Sequence, residues 1–525
     1  MEEAAGIRTG DLITLLAYFA VTIGIGVWCA RRMNSTEGYF VGGRAMPGWA
    51  VGISIIGTAI SSVTFLAYPG SAFVGDWSRL VPNFTIPIGA IFAVLVFVPF
   101  YRRARIVSVN EYLELRFAPW ARAYSCVMWT IIQFFRMGVI LFLIALAVNA
   151  MTGYSISFLI VVLGILIIIY TVMGGIEAVI WTDVIQTIVL MLGGLVCIAV
   201  VFLEVPGGAS GVFNQAWDAS KFHLSADLDW NFTQMTIWVA ILFGLNQNIQ
   251  EFASDQTKVQ RYCAAKSDSQ AAQATLFGGF GCIPVWMIFM FVGTCLWAFY
   301  TVAFPAVLPA GILEDQVFPY FILTELPIGL AGFVMAAVMA AAMSSIDSSL
   351  NGTAAVITSD LYKRFFVPGK DDSHYLNVGR TLTIICGGLM IFSSWGLYNI
   401  ITAGMIEQKT FLDSIFFFYA LLAGGVGGLF ILGFFTTRAN SQGVLVGIIF
   451  AIIVTLWMSA SSLGILTGES ASTFHKLMIG VVSNIVAFVL GYACSYLFAR
   501  PTQDKLDNLT VWTWNKEATD TSSNP

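Results

Sequence analysis

The sequence predicts an all-α protein that crosses a membrane about 13 times, and three observations predict it. Hydrophobic residues fill 58% of the 525 positions and charged residues 10%, against about 25% charged in a soluble domain. Apolar stretches close to the ~20 residues that span a bilayer as a helix recur from end to end. Lysine and arginine fall unevenly between alternate connections, as they do around membrane helices. Sustained apolar runs, without the alternation of barrel strands, make the spans helical.

The first span, 11–30, is full length and leads into more apolar sequence, so it reads as a membrane helix and not a cleaved signal. Span 48–68 holds Gly57-Thr58-Ala59-Ile60-Ser61-Ser62-Val63-Thr64. Glycine lowers helix stability by about 1 kcal/mol relative to alanine, and hydroxyls can bond the backbone groups that a break sets free. A break here would offer carbonyls to a hard cation; small-residue packing is the competing reading. Span 83–101 carries Pro87, placed to kink it near its outer end. Span 123–150 carries Arg136 near mid-membrane. Burying it costs about 2.5–3.5 kcal/mol on insertion scales, so it needs an ion-pair partner or a cavity with substrate.

Spans 155–172 and 178–203 follow, the second holding Asp183 near its cytoplasmic end. In span 233–252 the carboxamides Asn246, Gln247, Asn248 and Gln250 crowd together with Glu251, and Asp255 follows. A packed apolar helix would not carry them, so a polar cavity or a break is expected, with the membrane surface as the alternative. Span 275–299 is plain. Span 328–350 ends in Ser344-Ser345-Ile346-Asp347-Ser348-Ser349-Leu350-Asn351. Offsets of three and four put Ser344, Asp347 and Ser348 on one face, an oxygen set suited to Na⁺, unless the helix end simply emerges into water. Spans 381–398, 411–435, 444–460 and 477–498 complete the set, with a Gly424-Gly425-Val426-Gly427-Gly428 run marking a bend or close packing in 411–435.

With the N-terminus outside, the cytoplasmic connections hold 19 lysines and arginines and the outer ones 5, with Arg136 left in the membrane. The C-terminus then faces the cytoplasm, and 519–525 reads as disordered. Eight scattered cysteines lack metal spacing and read as free thiols, and no histidine lies in a span. No basic block suggests nucleic acid. No phosphate loop, zinc-protease motif or serine–histidine pairing suggests an enzyme.

Three segments together resemble the sodium:solute symporter family: 173–186 (MGGIEAVIWTDVIQ), Val259-Gln260-Arg261-Tyr262, and 344–351 (SSIDSSLN). The similarity runs from about Gly10 to Arg500. It implies a leucine-transporter-type fold of two five-helix inverted repeats, here 48–203 and 233–435, each opening with a suspect helix. The remainder divides into a peripheral helix and loop at 1–47, an extracellular connection at 204–232, peripheral helices at 436–498 and a tail at 499–525. The resemblance implies a sodium site on the carbonyls of Gly57, Ile60 and Ala341 and the hydroxyls of Ser344 and Ser345. A second site, known in part of the family, would use Asp183, Ser344, Ser348 and position 347, where this chain departs in carrying Asp347. Two carboxylates there would bind Na⁺ more strongly, or one would hold a proton.

Among branches, Ser61-Ser62-Val63-Thr64-Phe65, Ala72-Phe73-Val74-Gly75-Asp76-Trp77 and Arg136 look most similar to bacterial sialic acid transporters. The resemblance implies that Arg136 pairs with a substrate carboxylate, which its fork suits, and that Ser61, Thr64 and Asn83 help bind. Ala59 and Asn83 depart from that branch, which has threonine and glutamine there. Asn248 matches an asparagine of the sodium/galactose branch, whereas Thr64 stands where that branch has its sugar-binding glutamine. The expected function is symport of a small polar solute, leaning to an acidic sugar such as N-acetylneuraminate with two Na⁺. A neutral-sugar or monocarboxylate symporter is the nearer alternative, and a proton-coupled transporter or exchanger the more distant one.

Overall fold

The structure is a computed structural model that describes residues 8–31, 35–104, 106–224, 227–309, 311–403 and 424–514, leaving aside the side chains of 30, 150 and 151. Apart from one bridge between Met46 and Ala265, no β pairing occurs among the described residues. Apart from Thr36–Val41 and Gly208–Asp218, the helices in chain order are α1 (Thr9–Ala30), α2 (Gly48–Ala59), α3 (Val63–Val74), α4 (Trp77–Ala104), α5 (Glu111–Arg116), α6 (Pro119–Thr152) and α7 (Ile156–Glu204). Next come α8 (Ile237–Ser254), α9 (Gln256–Ala264), α10 (Asp268–Ala303), α11 (Glu314–Thr324), α12 (Leu330–Phe366) and α13 (Asp372–Thr402). The last are α14 (Val426–Phe435), α15 (Ser441–Ser462) and α16 (Met478–Leu497).

Nine described helices are long and apolar enough to span a membrane, and the bent pair α2–α3 makes a tenth. Three facts connect this number to the thirteen expected spans. At 49 residues α7 is about 74 Å long, more than twice the hydrocarbon core, and Gly175 with φ 54° and ψ −156° divides it into two spans. Any side chain there would strike the Tyr39 carbonyl, 2.6 Å from the position of a Cβ. Helix α8 spans 18 residues, but its amides and Glu251 make it too polar to be recognised by hydropathy. Most of span 411–435, and the tail end 519–525, lie outside the described residues.

Pro87 does not kink its span as expected. It sits in the first turn of the α-helical part of α4, which starts at Ile86 after a tighter 3₁₀ stretch over Trp77–Thr85. The missing N–H of proline costs nothing at that position.

Helix α12 is the axis of the bundle, packed on α1, α6, α7 and α13 and buried almost throughout between Ala331 and Val356. Its alanines and serines let neighbours approach closely. The N-terminal helix holds its start: the Asp11 carboxylate accepts from Gly329 N (2.7 Å), Gly332 N (2.8 Å) and Arg8 Nε (2.6 Å). A carboxylate favours the unpaired N–H groups and positive dipole of a helix start. At the opposite face, Ser108, Asn110 and Arg122 all bond the buried carboxylate of Asp360.

Candidate functional site

Helix α2 ends where Ile60 turns extended (φ −106°, ψ 121°), and α3 resumes with a bend of 61°. Carbonyls near such an end lose their helical donors, and α12 supplies hydroxyls to them. Ser344 Oγ donates to Gly57 O (3.0 Å) and lies 3.2 Å from Ala341 O. Ser345 Oγ lies 3.2 Å from Ile60 O and 3.4 Å from Thr58 O. The structure thus brings together all five residues expected at the first sodium site: Gly57, Ile60, Ala341, Ser344 and Ser345. Hydroxyls that pivot away from these carbonyls leave a neutral, oxygen-only shell, the donor type a hard cation takes.

Beside it lies a charged cluster. Asp183 Oδ2 accepts from Ser54 Oγ (2.5 Å) and Arg261 Nη2 (2.8 Å), and Arg261 also donates to Ser348 Oγ (2.5 Å) and to Thr257 O (2.8 Å). Asp183 and Arg261 are fully buried. Asp347 Oδ1 accepts from Ser348 N (2.6 Å), and its Oδ2 accepts from Tyr170 OH (3.0 Å). Asp183, Ser344, Asp347 and Ser348 are therefore contiguous, but the two carboxylates face different partners and are linked through Arg261 and Ser348. Sequence reasoning grouped Arg261 with the cytoplasmic charges; it is instead the counter-charge of this cluster. Only its place in the Val259–Tyr262 motif pointed to it.

A cavity of about 180 Å³ opens next to the break. Ser61, Thr64, Asn83, Arg136 and Asn248, the five expected substrate contacts, all line it. Arg136 Nη2 donates to Thr58 O (3.1 Å), the carbonyl that also faces Ser345, and Nη1 lies 4.0 Å from Asp255 Oδ2. Trp286 Nε1 donates to Thr64 Oγ1 (3.3 Å), and Asn83 Nδ2 to Tyr68 OH (2.9 Å). Asn248 spends its amide on Thr85 Oγ1 (2.8 Å) and Pro82 O (3.4 Å), within the wall itself.

Glu251 and Asp255 belong to the polar run expected to face a cavity, whereas the sequence does not single out Lys258. All three line the same cavity, with Lys258 bonded to Glu251 and Gln247 Nε2 donating to Glu251 Oε1 (2.8 Å). The helix breaks one residue beyond α8, at Asp255, whose carboxylate caps α9 through Thr257 N (2.7 Å).

Comparison with known proteins matches this architecture. The sodium:solute symporter family fits residues 39–451. The sodium/sialic acid symporter NanT of Aliivibrio fischeri is 32% identical over 97% of both chains. The sodium/sialic acid symporter SiaT of Proteus mirabilis is 34% identical over 94% of this chain and 96% of its own. A substrate-bound, outward-open structure of a Na⁺-coupled sialic acid symporter superposes with a TM-score of 0.86 at 32% identity, covering 94% of this chain and 99% of that one. The expected all-α, leucine-transporter-type fold class stands. This multi-pass membrane protein belongs to the sodium:solute symporter family.

Proposed function

We propose that this chain carries an acidic sugar of the sialic acid type across the bacterial inner membrane, driven by two sodium ions. Sodium coupling follows from the family; the substrate, the ion count and the residue roles are the proposal. The observation that carries it is the position of Arg136. Its guanidinium stands in the cavity wall with Ser61 and Thr64, where its fork can take a carboxylate by two parallel hydrogen bonds. The same guanidinium holds Thr58 O, one residue from Gly57 in the break proposed to bind the first ion.

That shared backbone accounts for coupling. An ion held by Gly57, Ile60, Ala341, Ser344 and Ser345 would pin the α2–α3 break to α12 and fix the carbonyl that orients Arg136. Sodium would thereby favour the state with a formed substrate pocket, through its differential affinity. The second ion would use the Asp183, Ser344, Asp347 and Ser348 cluster. One Na⁺ with a monoanion is electroneutral; a second restores one net charge, worth about 2.3 kcal/mol per 100 mV. Lysine and arginine placement supports an outside N-terminus and cytoplasmic C-terminus, and the breaks in α2–α3 and α8–α9 support repeats over 48–203 and 233–435.

The test is charge movement by purified protein in liposomes, sodium against choline, with N-acetylneuraminate, glucose, galactose and a monocarboxylate. A sodium-dependent inward current with N-acetylneuraminate alone is expected. Current with a neutral sugar instead would reassign Arg136 to structure.

A further inference from the structure

We infer that Thr187 is a ligand of the second sodium ion, which sits on the Oδ1 side of Asp183 against Gly57; this rests on the two-ion reading above. Asp183 and Thr187 lie four residues apart on α7 and so share one helix face. Both press on Gly57: a Cβ there would lie 2.6 Å from Thr187 Oγ1 and 3.5 Å from Asp183 Cβ. Gly57 lacks a side chain where Thr187 Oγ1 of α7 meets α2.

Two side-chain oxygens on this face of α7 have no hydrogen-bond partner. Asp183 Oδ1 and Thr187 Oγ1 are both buried and unbonded, on residues that are 0% and 4% exposed. Thr187 differs in this from several buried threonines of the spans, although Thr130, Thr353 and Thr358 are likewise unbonded. Thr22, Thr58, Thr171 and Thr182 each donate to the carbonyl four residues back, the usual resolution for a threonine in a membrane helix. Thr187 makes no such bond. Leaving a buried polar group unpaired costs about 1–3 kcal/mol, and a bound cation would remove that cost.

Charge balance admits the same ion. Asp183 and Asp347 contribute two negative charges to this cluster and Arg261 one positive, all fully buried. One monovalent cation, or one proton on a carboxylate, neutralises the remainder. Each oxygen of Asp347 already accepts a hydrogen bond, from Ser348 or Tyr170, whereas Asp183 Oδ1 accepts none.

The first readout, melting, needs no transported solute. Purified wild type, Thr187→Val, Thr187→Ser and Asp183→Asn are melted across a sodium series at constant ionic strength with choline. Sodium-dependent uptake of N-acetylneuraminate into proteoliposomes is measured in parallel. Thr187→Val keeps the shape and loses the hydroxyl: it is expected to weaken the sodium-dependent rise in Tm severalfold and to lower the Hill coefficient from near two toward one. Thr187→Ser should keep both near wild type. A Thr187→Val protein with the wild-type sodium curve overturns the inference. If Asp183→Asn alone loses the second ion, the two-ion reading stands and Thr187 is excluded from it. If neither variant changes the curve, the two-ion reading itself fails.

Discussion

Two buried aspartates, Asp183 and Asp360, each pair with an arginine, yet their surroundings differ in one respect. Asp360 is bonded on both oxygens: Oδ2 accepts from Ser108 and Asn110 Nδ2 (2.9 Å), and Oδ1 from Arg122 Nε (2.9 Å) and Nη2 (2.7 Å). Arg122 goes on to Glu114 Oε2 (2.9 Å), whose Oε1 accepts from Arg364 Nε (2.8 Å). Asp183 has one oxygen bonded by Ser54 and Arg261 and the other bonded by nothing. A saturated pair ties α5, α6 and α12 together and has no capacity left. An undersaturated pair is expensive to fold and has capacity for a ligand. Saturation, more than burial or charge, separates the structural cluster from the one proposed to bind.

The comparison breaks most easily at Asp360. Removing one partner of a buried ion pair costs about 3–5 kcal/mol, so Arg122→Ala should unfold at much lower temperature than wild type, with no rescue by sodium. Rescue by sodium would mean that this cluster too is part of ion binding. Next in size is Arg136→Ala, expected to fold and yet lose about 2–5 kcal/mol of interaction with an acidic substrate. Uptake of N-acetylneuraminate at low concentration should fall at least thirtyfold while sodium-dependent melting persists; unchanged uptake would remove Arg136 from the substrate site.

Asp183→Asn sharpens the contrast at smaller cost. Its carboxamide oxygen can still accept from Ser54 and Arg261, and Asp347 still offsets Arg261. It should lose less stability than Arg122→Ala and lose the second ion's contribution to melting. Equal loss of stability in both variants would erase the distinction drawn here. Ser345→Ala removes one hydroxyl facing Ile60 O and should raise the half-saturating sodium concentration roughly tenfold, which is about 1.4 kcal/mol. Sodium titration of uptake reads it directly.

The smallest effect concerns Asp315, at the start of α11 outside the spans, packed among Leu66, Leu143, Leu146, Ala147 and Pro319. Burial, with Glu314 beside it, pushes its carboxyl up to about 7. Its folded value lies above the unfolded one, so the folded state binds more protons between about pH 4 and 7. Stability from this group is present at acid pH and is lost as pH rises through 7. Wild type should melt slightly higher at pH 5 than at pH 8, and Asp315→Asn should lose that difference.

How much of this was legible follows from the range of the interactions. The α2–α3 break is written in consecutive residues, Gly57 through Thr64, and Arg136 stands out as a charge in an apolar run. The polar crowding of span 233–252 marked the wall and its members up to Asp255, but not Lys258, which lies beyond the break and reaches back to Glu251. The Arg261–Asp183 pair joins residues 78 positions apart, and Tyr170–Asp347 joins residues 177 apart. No hydropathy or spacing pattern reports which distant helix an ionisable side chain will meet. Pro87 was misread for a related reason: proline permits a helix start and a helix kink alike, and only the conformation of Trp77–Thr85 decides between them.

Asp11 fastens the first turn of α12, and the hydroxyls of Ser344 and Ser345 lie on that helix about 13 residues further on. At 1.5 Å per residue this is a rigid arm of about 20 Å. With its near end held by the N-terminal helix, the arm has a fulcrum, and tilting by about 5° displaces the far hydroxyls by almost 2 Å, by the same helix geometry. That displacement would carry them out of reach of a bound ion. A helix outside the proposed repeats would thus set the leverage by which a small rocking motion releases sodium.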